Sequence, residues 1–140
     1  MLVLVFDTET TGIIKENTIK IDDFPHIVQI SFILYDTISK EMIECCDFII
    51  NCKNKFKIPI ETSNIHGITT HKAILEGKNL DFVLDRFYTD LKACSHIIAH
   101  NLNYDINIMG AELLRNNKQN ILPGKKGICT MLSSVDFCAL

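Results

Sequence analysis

Apolar and polar positions fall in blocks along this chain, and the blocks define its expected elements. Met1–Phe6 is a short, nearly unbroken apolar run ended by Asp7, the pattern of a central strand covered on both faces. Ile13–Pro25 turns polar and carries a proline, which marks a loop. His26–Asp36 and Glu41–Ile50 are rich in Val, Ile, Phe and Tyr, and Thr37-Ile38-Ser39-Lys40 joins them, which predicts an antiparallel hairpin. Asn51–Lys57 is basic and polar. Beyond Ile60 the period changes. Leu80, Val83, Leu84, Phe87, Tyr88 and Leu91 recur at helical spacing and predict a helix over Leu80–Lys92. His96–Ala99 reads as a short buried strand. Leu102–Asn116 reads as a helix with Ile106, Met109, Leu113 and Leu114 on one side and Asn101 or Asn103 as its cap. Pro123–Gly127 is then a loop, Ile128–Met131 a short strand, and Leu132–Leu140 the start of a further helix.

Three strands followed by strand–helix–strand units make an α/β pattern. The closing Asp-Phe-Cys-Ala-Leu carries no Gly cap, basic last turn or following Pro, the usual signs of a finished helix. One domain spanning 1–140, incomplete at its C-terminal end, is therefore expected.

Composition narrows the function classes. The chain has 140 residues, 47% of them hydrophobic and 22% charged, which fits one globular domain and excludes a largely disordered chain. No apolar stretch approaches the roughly 18–20 residues of a membrane helix, and Leu2–Phe6 lacks the basic flank and cleavage site of a signal peptide. An intracellular protein, cytoplasmic or nuclear, with no membrane partner is the expectation. The six cysteines, Cys45, Cys46, Cys52, Cys94, Cys129 and Cys138, show no CxxC spacing, so they read as reduced thiols rather than a zinc site or a disulfide framework. Fourteen basic against seventeen acidic residues give a net charge of −3. A polyanion would have to be met by a local basic patch or by metal ions. Lys53, Lys55 and Lys57, which would share one face if extended, and Lys125 with Lys126 are the candidates, with a solvated surface as the plainer reading.

The sharpest chemical signal is Phe6-Asp7-Thr8-Glu9-Thr10-Thr11-Gly12, straight after the first strand. In strand geometry Asp7 and Glu9 point to the same face with Cα atoms roughly 6.5 Å apart. Two carboxylates at that separation repel by about 2–3 kcal/mol at an effective dielectric near 20. A hard divalent cation removes the repulsion, and oxygen ligands suit Mg²⁺ or Mn²⁺. A third acid, Asp105, follows in His100-Asn101-Leu102-Asn103-Tyr104-Asp105, in the first turn of a helix, where an anion is stabilised. His100 stands open between a site residue and an ordinary loop histidine. Ile65-His66-Gly67-Ile68-Thr69 adds a histidine beside a flexible glycine, with Thr69 or Thr70 as a cap for a following helix.

FDTETTG, IHGIT and AHNLNYD, in that order, resemble the DEDD superfamily of 3′→5′ exonucleases, in particular the proofreading exonucleases related to the epsilon subunit of bacterial DNA polymerase III. The resemblance covers nearly the whole chain. It implies a ribonuclease-H-like fold: a five-stranded mixed sheet with strand 2 antiparallel, helices on both sides, and the C-terminal helix missing here. It implies that Asp7, Glu9 and Asp105 are catalytic residues that bind metal, two Mg²⁺ or Mn²⁺ ions in a complete site. Thr8, Thr10, Gly12, His66, His100 and Asn101 fall on its substrate side. The implied reaction is two-metal hydrolysis of phosphodiester bonds at a single-stranded DNA or RNA 3′ end, with a DNA polymerase as a further partner.

The family's third motif, a histidine or tyrosine shortly before a fourth aspartate, has no match. No histidine follows His100, and Asp136 is the sole aspartate after Asp105. The expectation is weak or absent activity in this chain alone. Two alternatives remain. A haloacid-dehalogenase-type phosphatase also begins strand–acid–x–acid, but Glu9 and the HNxxxD segment fit it poorly. A nuclease-like module that binds nucleic acid or a polymerase without cutting would need no paired metal site.

Overall fold

The computed structural model describes residues 1–138. Five strands form one sheet: β1 (Leu2–Thr10), β2 (Ile27–Asp36), β3 (Glu41–Ile49), β4 (His96–Ala99) and β5 (Lys126–Cys129), in the order β3-β2-β1-β4-β5. The β1–β2 and β2–β3 ladders are antiparallel, and the β1–β4 and β4–β5 ladders are parallel. The expected mixed sheet with an antiparallel second strand is therefore present. Its helices are α1 (Ile60–His66), α2 (Thr70–Glu76), α3 (Leu80–Ala93), α4 (Leu102–Arg115), α5 (Thr130–Ser133) and α6 (Val135–Cys138).

The alternation of strand side chains decides what lies where. Leu4 and Phe6 of β1 and Ile30, Phe32 and Leu34 of β2 join Val83, Leu84, Phe87 and Leu91 of α3 and Ile108, Met109 and Leu113 of α4 in the main core. Phe87 sits edge-on to Phe6 and Phe32, with ring centroids 5.3 and 5.5 Å away. A second, smaller core joins Val28, Cys52, Ile58, Ile68 and Ala73 and fixes α2 and the 51–58 loop to the sheet. On the opposite sheet face Val5 and Ile128 are 37% and 40% exposed. Val5, Ile33, Cys45 and Ile98 line an open cleft of about 550 Å³ there. Among the described residues the long helices α3 and α4 thus cover one face of the sheet.

Several boundaries differ from the sequence reading. β1 runs on to Thr10 because its ladder with β2 continues from Leu2↔Asp36 to Thr10↔Ile27, so the acidic motif lies within the strand rather than after it. β5 begins at Lys126, not Ile128, because parallel pairing runs from His96↔Lys126 to Ala99↔Cys129. The helix expected over Leu132–Leu140 is instead the two single turns α5 and α6, and residues 139–140 lie outside the described residues. α1 was not anticipated. Lys53, Lys55 and Lys57 do not share an extended face, because the chain turns there, with Lys55 and Phe56 N–H donating to Cys52 O. All six cysteines are free thiols. Among the described residues no helix is long and apolar enough to cross a membrane.

Candidate active site

β1 outruns its parallel neighbour. The β1–β4 pairing ends at Val5↔Ile98, whereas β1 continues to Thr10. Its last five residues, Phe6–Thr10, are therefore paired with β2 alone. A bulge between Glu9 and Thr10, where Glu9 faces Gln29 but Thr10 faces Ile27, re-aims the strand end as bulges beside functional sites commonly do. After Ala99 the chain leaves β4 through His100 and Asn101. Asn101 takes a left-handed conformation (φ 64°), which Asn tolerates better than most residues. It stands at the N-cap of α4, yet its side chain makes no capping bond. The backbone turn, rather than an Asn cap, starts the helix.

That turn brings Asp105 back to β1. Thr8 Oγ1 donates to Asp105 Oδ1 at 2.6 Å across 97 residues of sequence. Asp105 is 2% exposed, and burial pushes its pKa up to about 6. The Thr8 hydrogen bond opposes the rise, while the negative charges of Asp7 and Glu9 add to it. Desolvation here outweighs the stabilisation expected from the first turn of a helix. The motif acids are thus near enough to act on Asp105 through their charge.

The neighbouring Tyr104 ties α4 to the end of the motif. Its hydroxyl donates to Gly12 O at 2.6 Å and lies 2.5 Å from Thr10 Oγ1, which also accepts from Gly12 N–H at 3.2 Å. Burial raises the Tyr104 pKa, so the phenol stays protonated and able to donate. On the far side, α1 ends at His66, and Gly67 closes the helix in the left-handed region (φ 76°) with its N–H on Ser63 O at 2.7 Å. His66 Nδ1 accepts from Ile68 N–H at 3.1 Å, so in the neutral ring Nε2 carries the proton; that atom is shielded and has no partner among the described residues. Thr69, not Thr70, caps α2, accepting from Lys72 N–H at 3.1 Å.

These pieces enclose a cleft of about 210 Å³. Thr8, Glu9, Thr10 and Gly12 line it from the motif, His66 and Ile65 from α1, and Tyr104 from α4. Ile13 and Ile65, 81% and 82% exposed, form its apolar sides. Asp7 and His100 do not line this cleft. They border the larger cleft on the open sheet face, where His100 Nδ1 lies 3.1 Å from Thr130 Oγ1. Asn101 lines neither. Tyr104, Ile13 and Ile65 were missed as site residues. Tyr104 could have been found as the amphipathic side chain directly before the motif acid Asp105.

The donor chemistry fits hard divalent cations. Asp7, Glu9 and Asp105 offer only oxygen ligands, and none of them has an ion pair among the described residues. The side chains do not close around one point: among the described residues no group of three or more His, Cys, Asp or Glu is arranged to hold a metal. Asp105 is instead turned onto Thr8.

Residues 4–137 match a family model, RNase T, described as exonuclease. No curated protein sequence matches the chain. Among solved structures, Escherichia coli exonuclease I in complex with a dT13 oligonucleotide superposes with a TM-score of 0.76 at 18% identity, over 99% of this chain and 29% of the other. The zinc-ion-bound form of the Escherichia coli ExoI–ssDNA complex gives a TM-score of 0.77 at 17% identity, over 96% and 29%. An ExoI/SSB-Ct complex gives 0.75 at 18%, over 99% and 30%. The chain thus spans about 30% of the length of these structures, and at these identities the likeness is one of fold.

Proposed function

The chain belongs to the exonuclease family that its residues 4–137 match, and from that we propose that it is a metal-dependent 3′→5′ exonuclease domain acting on single-stranded nucleic-acid ends. The observation that carries the proposal is the meeting, in one cleft, of three segments far apart in sequence: Thr8–Gly12, Ile65–His66 and Tyr104, with Asp105 directly behind. The family match sets aside the phosphatase alternative.

Asp7, Glu9 and Asp105 would hold Mg²⁺ or Mn²⁺. Ions bound there would neutralise phosphate charge and acidify the attacking water. The chain's own groups do the rest. Ile13 and Ile65 offer apolar walls for the terminal base. His66 offers its unpartnered Nε2–H to a phosphate or sugar oxygen. Tyr104 and Thr10 hold the Gly12 backbone that borders the nucleotide. His100 borders the open face, and Asn101 makes the left-handed turn from β4 into α4 that carries Asp105. No residue matches the family's general-base histidine. A positioned base contributes typically about 10²–10⁴ in rate, so weak turnover is expected from this chain alone. The relatives described above were solved with oligonucleotides and SSB-Ct, which supports the strand end as substrate; a polymerase partner gains no such support.

The test is release of mononucleotides from a 5′-labelled single strand in Mn²⁺. Stepwise shortening from the 3′ end, abolished by chelation and by Asp7→Ala, is the expected result. Shortening from the 5′ end, or activity that survives Asp7→Ala, would overturn the proposal. The absence of a closed metal cage among the described residues favours one second reading, a module that binds strands without cutting. Saturable Mn²⁺ binding that is lost in Asp7→Ala separates the two.

A further inference from the structure

We propose that the 53–57 loop, together with the stacked rings of His26 and Phe56, carries the backbone of the single strand upstream of its 3′ end. This rests on the strand-end reading of the cleft. The chain is net acidic, yet Asn51–Pro59 contains Lys53, Lys55 and Lys57 and no acid. All three lysines are exposed, and none has an ion pair among the described residues. Among the described residues only Arg86, Arg115 and Lys118 of the chain's lysines and arginines are paired with a carboxylate, so what sets this loop apart is three lysines in five residues with no acid among them. The local sign of charge is thus inverted in a net-acidic chain.

The lysines stand on a fixed platform. Cys52 and Ile58, at 1% and 7% exposure, anchor the loop in the small core that also holds Ile68, two residues after His66. Ile58 N–H donates to Thr70 Oγ1 at 2.9 Å, and Lys53 N–H to Asn51 Oδ1 at 2.9 Å. Little backbone entropy is left to lose when an anion binds, and the cost that remains is the ordering of the lysine side chains. A recess of about 220 Å³ opens between Lys53, Lys55 and Asn79.

The loop is also continuous with the cleft. His26 pairs with Thr11 twice, Thr11 N–H to His26 O and His26 N–H to Thr11 Oγ1, each at 3.0 Å. Thr11 sits between the cleft residues Thr10 and Gly12. The His26 ring stacks on Phe56, centroids 4.6 Å apart and 10° from parallel, between Lys55 and Lys57 in sequence. Both rings are half-buried. Flat rings interleaved with unpaired lysines are what a single strand uses, its bases on the rings and its phosphates on the ammonium groups. The acids nearest in the chain, Asp47 and Glu61, lie on β3 and α1, outside the lysine segment.

The test is binding of a fluorescein-labelled thymidine dodecamer in EDTA across a salt titration, which needs no metal and allows no hydrolysis. Each phosphate contact on a single strand steepens log K against log salt by about 0.7. The triple variant Lys53→Gln/Lys55→Gln/Lys57→Gln should flatten the slope by about 2, while the Lys→Arg triple keeps it. Phe56→Leu should weaken dodecamer binding and leave the salt slope unchanged. An unchanged slope in the Gln triple, no dodecamer binding by the wild-type chain, or an acidic peptide that binds the loop without displacing the dodecamer would each overturn the proposal. Hydrolysis in Mn²⁺, measured separately, reports on the cleft: Asp7→Ala should abolish cutting and leave EDTA binding intact.

Discussion

Buried carboxylates are where this chain departs furthest from what its residues would do in water. Asp90, on the inner side of α3, is 7% exposed and its Oδ2 has no hydrogen-bond partner among the described residues. Burial, and then the charge of Glu44, raise its pKa. A raised folded-state value favours the protonated native form, so Asp90's contribution is fully present below the ordinary aspartate range and is lost as pH rises through the raised value. Asp90→Asn should therefore melt higher than wild type at neutral pH, with the gap closing in acid; equal melting temperatures at every pH would contradict this. Tyr104→Phe removes the hydroxyl held by Gly12 and Thr10. A loss of about 1 kcal/mol in urea unfolding is expected, with weaker dinucleotide binding as the Gly12 turn loosens. Asp7 and Glu9 could be read from their spacing alone, because strand geometry puts every second residue on one face. The burial of Asp105 could not, since it depends on Thr8, 97 residues away.

Elements with strong periodicity were the readable ones. α3 was expected over Leu80–Lys92 and spans Leu80–Ala93, because its apolar stripe is continuous and Asn79 caps it through Asp81 and Phe82 N–H. Its central Phe87 is fully buried between Phe6 and Phe32, so Phe87→Ala should cost about 3–5 kcal/mol in chemical denaturation. α1 escaped because seven residues with no buried side chain and no side-chain cap leave no period to read. Its end was nevertheless encoded, since Gly67 supplies the left-handed closure. An added Cβ there would meet nothing within 4 Å. Gly67→Ala should then cost only the left-handed backbone strain, about 1–2 kcal/mol, seen as a lower melting temperature together with weaker nucleotide binding as His66 shifts. β1 and β5 were misjudged at their ends because a strand stops where its partner stops, and a partner is not written in local sequence.

The molecule is closed by one long-range clamp. Glu112 on α4, 1% exposed, accepts from Ile27 N–H at 3.1 Å and from Arg115 at 2.9 Å. Arg115 in turn donates to the carbonyls of Ile21, Phe24 and Pro25 and so fastens the 21–26 segment, and with it His26, to the helix that carries Asp105. Arg115→Ala strands a buried carboxylate, and a loss of about 3–5 kcal/mol is expected; a loss below about 1 kcal/mol in equilibrium unfolding would show the clamp to be dispensable. Neither Glu112 nor Arg115 stands out in the sequence. The chain's order of residues by itself determined the α/β pattern and the order and spacing of the segments FDTETTG, IHGIT and AHNLNYD, because periodicity and spacing act over a few residues. Only the tertiary structure decided that Glu9 faces the cleft with His66 and Tyr104, that Asp7 and His100 border the open face, and that Asp105 turns onto Thr8. Those outcomes follow from ladder register and burial, which are settled between segments that meet only when the whole chain has folded.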